Sequence, residues 1–253
     1  MSGERYRALV AGGTGLVGRR LIARLLGDQA CASIAVLARS GRPAALERVS
    51  KLEWIETDFE RLGETLNGMT ADVVFIALGT TMAKAGTREA FRKVDYEYAG
   101  ALADWAAEAG VRACVVVTAM GASSESVFYY NRVKGDLEDK LARTAIPRIV
   151  ILRPSLLLGE RAEHRRGEKA GAALAKALGW MMVGPLRRYR AVDADDVAEA
   201  MRAAGRLAAA GAPIDPPAGL RQGAVSSRET PSGGTVTICE SDAISAIARE
   251  ITR

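Results

Sequence analysis

Short, continuous apolar runs alternate with helical patterns along the first half of the chain. "RALVA" (Arg7–Ala11), "SIAVLA" (Ser33–Ala38), "LEWIET" (Leu52–Thr57) and "DVVFIAL" (Asp72–Leu78) have the length and β-branched content of buried strands. "ACVVVTA" (Ala113–Ala119) and "RIVILR" (Arg148–Arg153) continue the series. Between them, "GLVGRRLIARLLG" carries apolar residues at helical spacing, and a long helical stretch runs from about Arg88 to Ala109. Another helix opens in "VFYYNRVKGDLE" (Val127–Glu138). Strands apolar on both faces, separated by helices, predict a parallel sheet covered on each side. The expected class is α/β, a Rossmann-type doubly wound parallel sheet.

After Pro154 the regularity loosens. Helices are expected over Glu168–Leu178 and across "DADDVAEAMRAAGRLAAA", the latter capped by Asp193 or Asp195. "TVTICES" (Thr235–Ser241) reads as a late strand, and Asp242–Ile251 as a terminal helix. Residues 211–234 are rich in Gly, Pro and Ser without periodicity, so a flexible loop, lid or insert is expected. The 253 residues read as one domain, with 155–253 a smaller C-terminal extension on the substrate side.

Composition then narrows the function classes. A formal net charge of +5 invites a nucleic-acid reading, but the densest basic patch, "ERAEHRRGEK" (Glu160–Lys169), interleaves acids and lacks aromatic stacking residues. No nucleic-acid partner is expected. No apolar run approaches the roughly 20 residues of a membrane span. Cys31, Cys114 and Cys239 are odd in number and far apart, and His164 is the one histidine, so neither a disulfide framework nor a metal site is expected. With a charged N-terminus unlike a secretory leader, this predicts a reducing, cytoplasmic location.

The strongest local signal is "VAGGTGLVG", where a strand ends at Ala11 and Gly12, Gly15 and Gly18 follow as a helix begins. Such a triad allows a tight turn, close approach of backbone to a pyrophosphate, and close helix–strand packing. At the end of the second strand, where NAD enzymes place an acid on the ribose, the chain has Arg39, with Ser40 and Arg42 beside it. A guanidinium matches a 2′-phosphate in charge and fork geometry, so NADP(H) is expected in preference to NAD(H). Asp58, after the third strand, stands either within reach of an adenine or as a turn cap.

Tyr130 and Lys134 are four residues apart and share one helix face, whereas Tyr129 does not share it. Together with "GGTGLVG", "LARSGR", "TDFE", "IALGTT", "VVVTAMGA" and "LRPSLLLGERAEHRRGE", the segment "YYNRVK" resembles an atypical short-chain dehydrogenase/reductase. It is similar more narrowly to the Tat-interacting-protein-like oxidoreductases, over most of the chain outside 211–234. The resemblance implies that Tyr130 is the general acid/base and Lys134 its partner, which also bonds the nicotinamide ribose. A nearby ammonium favours phenolate, so the chemistry agrees. It places the carbonyl-polarising hydroxyl at Thr118, where relatives carry serine, with Ser123 and Ser126 as alternatives. Cofactor contacts are implied for Gly12, Thr14, Gly15, Leu16, Val17, Gly18, Arg39, Asp58, Leu78, Gly79, Thr80, Lys134, Arg153 and Pro154. Ser155 stands where relatives commonly have glycine. Arg161, Arg165 and Glu168 match family positions that serve either a loop over the mouth or an ion network holding that loop.

The implied function is an NADP-dependent oxidoreductase passing hydride to or from a small carbonyl or alcohol substrate. Two rivals share the fold: an NADPH-binding redox-sensing regulator with little turnover, and a nucleotide-sugar epimerase or dehydratase. A homodimer or a regulatory protein partner is compatible with each.

Overall fold

The computed structural model describes residues 5–158, 189–220 and 222–251. Strands β1 (Tyr6–Ala11), β2 (Cys31–Ala38), β3 (Leu52–Glu56), β4 (Val73–Ile76), β5 (Ala113–Val117) and β6 (Arg148–Arg153) pair in parallel. Two further strands, β9 (Val225–Glu229) and β10 (Thr235–Glu240), complete an eight-stranded sheet in the order β3-β2-β1-β4-β5-β6-β10-β9. Only β9 runs antiparallel to its neighbour. Strand order reverses between β1 and β4, and the crevice at such a switch point is where open α/β sheets bind ligands. The expected doubly wound sheet is present, with the C-terminal strands added at one edge.

Alternation along each strand feeds two cores. Ala8 and Val10 of β1 face one layer, with Val73 and Phe75 of β4, under α1 (Leu16–Gly27) and the Ala194–Ala209 helix. Leu9, Ala11, Val74 and Ile76 face the other, under α2 (Leu62–Leu66), α5 (Tyr98–Glu108) and α6 (Tyr129–Ala142). The short α3 (Met82–Ala85) and α4 (Arg88–Arg92) lead into α5. We label the Ala194–Ala209 helix α7 and the terminal Ser241–Ile251 helix α8. Asp193 is the cap of α7, accepting from the backbone N–H of Asp195.

Two expectations change. The stretch 211–234 contains β9, whose residues "VSSRE" pair with β10 from Val225↔Cys239 to Glu229↔Thr235. Polar, mostly exposed residues on an edge strand show no apolar alternation, so the pairing rests on backbone groups that pattern reading does not register. The helix expected over Arg88–Ala109 is interrupted by a π-turn, Lys93–Glu97, between α4 and α5. A two-residue pair, β7 (Leu157–Leu158) with β8 (Val192–Asp193), closes off the chain beyond β6. The helix expected at Glu168–Leu178, and Arg161, His164, Arg165 and Glu168, lie outside the described residues.

Candidate active site

Gly12 follows β1 with φ +93°, a backbone conformation that favours glycine. The turn then folds back on itself, with the N–H of Gly15 donating to the carbonyl of Gly12 at 3.0 Å. A side chain at Gly18 would place its Cβ 2.1 Å from that carbonyl oxygen, so only glycine lets α1 start against the turn. Helix α1 opens at Gly15 with no side-chain cap and no acid in its first turn. Its first backbone N–H groups are therefore left for an anion.

A cavity of about 420 Å³ lies over this turn. It is lined by Thr14, Gly15, Leu16 and Val17, by Leu78, Gly79 and Thr80 after β4, and by Thr118, Tyr130 and Lys134. A second cavity of about 90 Å³ shares Thr14, Gly15, Leu78 and Gly79, and extends to Gly12, Arg39, Phe59 and Tyr98. The two form one cleft from the end of β2 to the start of α6. This cleft, with its uncapped helix terminus midway, suits an elongated ligand carrying a central anion.

The catalytic candidates converge at its far end. Tyr130 is partly exposed (38%), and its ring packs 5.4 Å from that of Phe91. Lys134 is buried at 3% exposure, and its Nζ lies 2.7 Å from Oδ1 of Asp95, itself buried at 1%. Asp95 sits in the π-turn, and its Oδ2 accepts from the backbone N–H of Thr80 at 2.8 Å. Sequence reasoning missed Asp95. Its signal was present: Asp95 follows Phe91 and precedes Ala99 at four-residue steps, a charge on an apolar helical stripe.

Thr118 lines the cavity, but its hydroxyl donates to Oε1 of buried Glu138 at 2.6 Å. Arg153 holds that carboxylate through Nε at 3.0 Å and through Nη2, and reaches Glu240 through Nη1 at 3.3 Å. The Arg153 guanidinium is therefore engaged by two acids and does not line either cavity. Pro154 contributes its carbonyl to the N–H of Met120. Asp58 caps a turn, accepting from the N–H of Glu60 at 3.0 Å. Ser123 and Ser126 likewise accept from nearby backbone N–H groups of Glu125 and Phe128. Ser155 donates to the carbonyl of Arg190 and accepts from Ser241. Tyr129 turns away, donating to the carbonyl of Arg88 and packing between Arg88 and Arg132.

At the other end, Arg39 is exposed and lines the smaller cavity beside Phe59 and Tyr98. Among the described residues no carboxylate pairs with it. Tyr98 donates to Glu60, and burial together with that bond pushes its phenol up to about 12. Glu60 is also taken by Lys93, so the nearby acid is already satisfied.

An NAD(P)H-binding family model matches residues 12–203. The chain belongs to the NAD(P)H-binding, atypical short-chain dehydrogenase/reductase family. It is 36% identical to the mitochondrial protein FMP52 of Candida albicans, over 74% of this chain and 82% of that protein. It is 34% identical to the mitochondrial fmp52 of Aspergillus clavatus, over 82% and 89% respectively. Among solved structures, a UDP-galactose 4-epimerase superposes with TM-score 0.58 at 18% identity, covering 78% of this chain and 71% of that one. The Bordetella bronchiseptica enzyme WbmG in complex with NAD gives 0.55 at 20% identity, over 70% and 60%. At such identities the likeness is one of fold. As a family member the chain takes a nicotinamide dinucleotide.

The expected cytoplasmic location is corrected by the same comparison, because the relatives are named as mitochondrial proteins. Cys31, Cys114 and Cys239 are free and buried, and that property does not distinguish the cytosol from a mitochondrial compartment. Among the described residues no helix is long and apolar enough to cross a membrane.

Proposed function

We propose that the protein is an NADP(H)-dependent oxidoreductase acting on a small carbonyl or alcohol, with Tyr130 as general acid/base. The observation that carries this reading is the shared cavity: Tyr130 and buried Lys134 line the same space as the glycine turn and the uncapped start of α1. A nicotinamide bound along the cleft would supply or accept the hydride. In the reductive direction Tyr130 would give its phenolic proton to the carbonyl oxygen as the carbonyl carbon took up the hydride that a bound nicotinamide would supply, leaving an alcohol. Lys134 bonds the cofactor's ribose and favours, by its charge, the phenolate that remains. Gly12, Thr14, Gly15, Leu16, Val17 and Gly18 would hold the cofactor's pyrophosphate, and Leu78, Gly79 and Thr80 would contribute to the same site. Arg39, unpaired among the described carboxylates, recognises a 2′-phosphate and gives NADP(H) its preference.

Thr118 enters this scheme differently from a serine that donates to the substrate. Its proton is committed to Glu138, whose charge Arg153 balances, so Thr118 offers the cavity an acceptor. It would meet the hydroxyl of an alcohol, and Tyr130 remains the proton donor to a carbonyl. Arg153, Pro154 and Asp58 support the walls.

Purified protein should oxidise NADPH in the presence of some members of a panel of aldehydes, ketones and quinones. Tyr130→Phe should abolish that turnover while the NADPH Kd stays within about threefold of wild type. Full activity in this variant would remove the acid/base assignment. Silence across the panel despite tight cofactor binding would favour a regulatory, non-turnover role.

A further inference from the structure

Large apolar side chains scattered singly over a protein surface are ordinary, whereas a group of them in one place marks a binding surface. Among the described residues, the large apolar side chains left well exposed are Met82, Val127, Phe128, Tyr130, Leu156 and Tyr189. Met82 and Tyr130 line the larger cavity, and so does Leu157, the chain neighbour of Leu156. Phe128 and Val127 stand immediately before α6, two and three residues from Tyr130. Tyr189 is three residues from Val192, whose N–H donates to the carbonyl of Leu156 at 2.9 Å. The exposed apolar residues therefore gather around the mouth of the reaction cavity.

This patch carries a local cost. Phe128 is the N-cap of α6 and makes no side-chain capping bond, at a position where Ser, Thr, Asn or Asp would satisfy a backbone N–H. It is 70% exposed and Val127 beside it 85%, so the phenyl ring serves neither the helix start nor the core. The polar groups of the cavity wall lie elsewhere. Arg19 on α1 and Lys84 on α3 follow closely on the proposed cofactor contacts, and Thr81 caps α3 by accepting from the N–H of Lys84. A carbonyl compound reaching Tyr130 from outside would lay its body over thioether, phenyl and branched alkyl groups. None of these replaces the hydrogen bonds that a hydroxylated body loses with its water. An apolar body loses none and covers the patch.

We propose that the substrate is a carbonyl compound with an apolar body, alkyl or aryl, which lies against Met82, Val127 and Phe128 while its carbonyl meets Tyr130. Leu156 and Leu157 complete the rim. The inference rests on the cavity and the acid/base role proposed above, and it excludes polyhydroxylated carbonyls such as sugars.

The test uses alkanamides, which present a carbonyl that hydride does not reduce, so binding is read apart from turnover. Titrated by calorimetry into the protein saturated with NADPH, the series from butanamide to octanamide should bind about twofold tighter for each added methylene. In the Met82→Gln, Phe128→Ser double variant that gain should fall below about 1.3-fold per methylene, with butanamide within about twofold of wild type. Both side chains are exposed and serine suits the cap, so the variant keeps the fold. A flat series in wild type, an unchanged slope in the variant, or gluconamide binding as tightly as hexanamide would overturn the inference. So would a variant that loses only self-association or binding to phosphatidylcholine vesicles, which would give the patch to another occupant. An intact slope with no aldehyde reduced by NADPH would remove the proposed reaction and leave the apolar site standing.

Discussion

At the scale of single residues, charge and exposure divide the candidates into two groups. Tyr130, Lys134 and Arg39 present groups to the cleft, whereas Asp58, Arg153, Ser123 and Ser126 spend theirs on neighbouring protein. Arg39→Ala should therefore weaken NADPH by about tenfold or more and leave NADH nearly unchanged, as titrations of the two cofactors would show. Equal losses for both would move 2′-phosphate recognition elsewhere. The cysteines give the opposite expectation. Burial pushes the Cys114 and Cys239 thiols up to about 12 and Cys31 to about 11, so none supplies a reactive thiolate near neutrality. A thiol reagent at about pH 8 should label none of the three in the folded protein and all three in denaturant. Fast labelling of a native thiol would contradict this expectation and point to a reactive cysteine.

At the scale of elements, one ion network joins the first helix of the chain to a helix far along it. Arg20 and Arg24 of α1 meet Asp195 and Glu199 of α7. Arg202 ties buried Glu199 at 2.5 Å to Asp28 at 3.1 Å, and Tyr6 donates to Asp28 as well. Helix α1 begins at the glycine turn, so this network holds that turn in place. Glu199→Ala should cost about 3 kcal/mol in denaturant unfolding, because it removes the buried carboxylate that Arg24 and Arg202 share. A change below about 0.5 kcal/mol would mark the network as passive. The elements also show where pattern reading works. Strands β1 to β6 are built around short apolar runs, and "VAGGTGLVG" carries its own geometry, so both were legible. Strand β9 was not, since its polar residues leave the pairing to backbone groups. The π-turn was not either: an inserted residue changes hydrogen bonding without changing composition.

At the scale of the whole molecule, the strand order brings together segments that are far apart in sequence. The reversal between β1 and β4 sets the glycine turn beside Leu78–Thr80, and β5 and α6 then add Thr118, Tyr130 and Lys134. Those residues were legible from spacing joined to family resemblance. Asp95 was visible only as a charge on an apolar stripe, and neither its partner nor that of Glu138 was legible, because pairing across elements has no local period; the direction of the Thr118 hydrogen bond depends on Glu138. Location escaped for another reason, since reduced cysteines are shared by several compartments. The central claim, hydride transfer at a Tyr130-armed site, is tested most directly by following label from NADPH deuterated at nicotinamide C4. With a turned-over aldehyde or ketone, wild type should deliver deuterium to the carbonyl carbon of the alcohol product. Tyr130→Phe, still binding NADPH, should deliver none. Label transfer by that variant at the wild-type rate, or alcohol formed by wild type without label from either C4 position, would contradict the account.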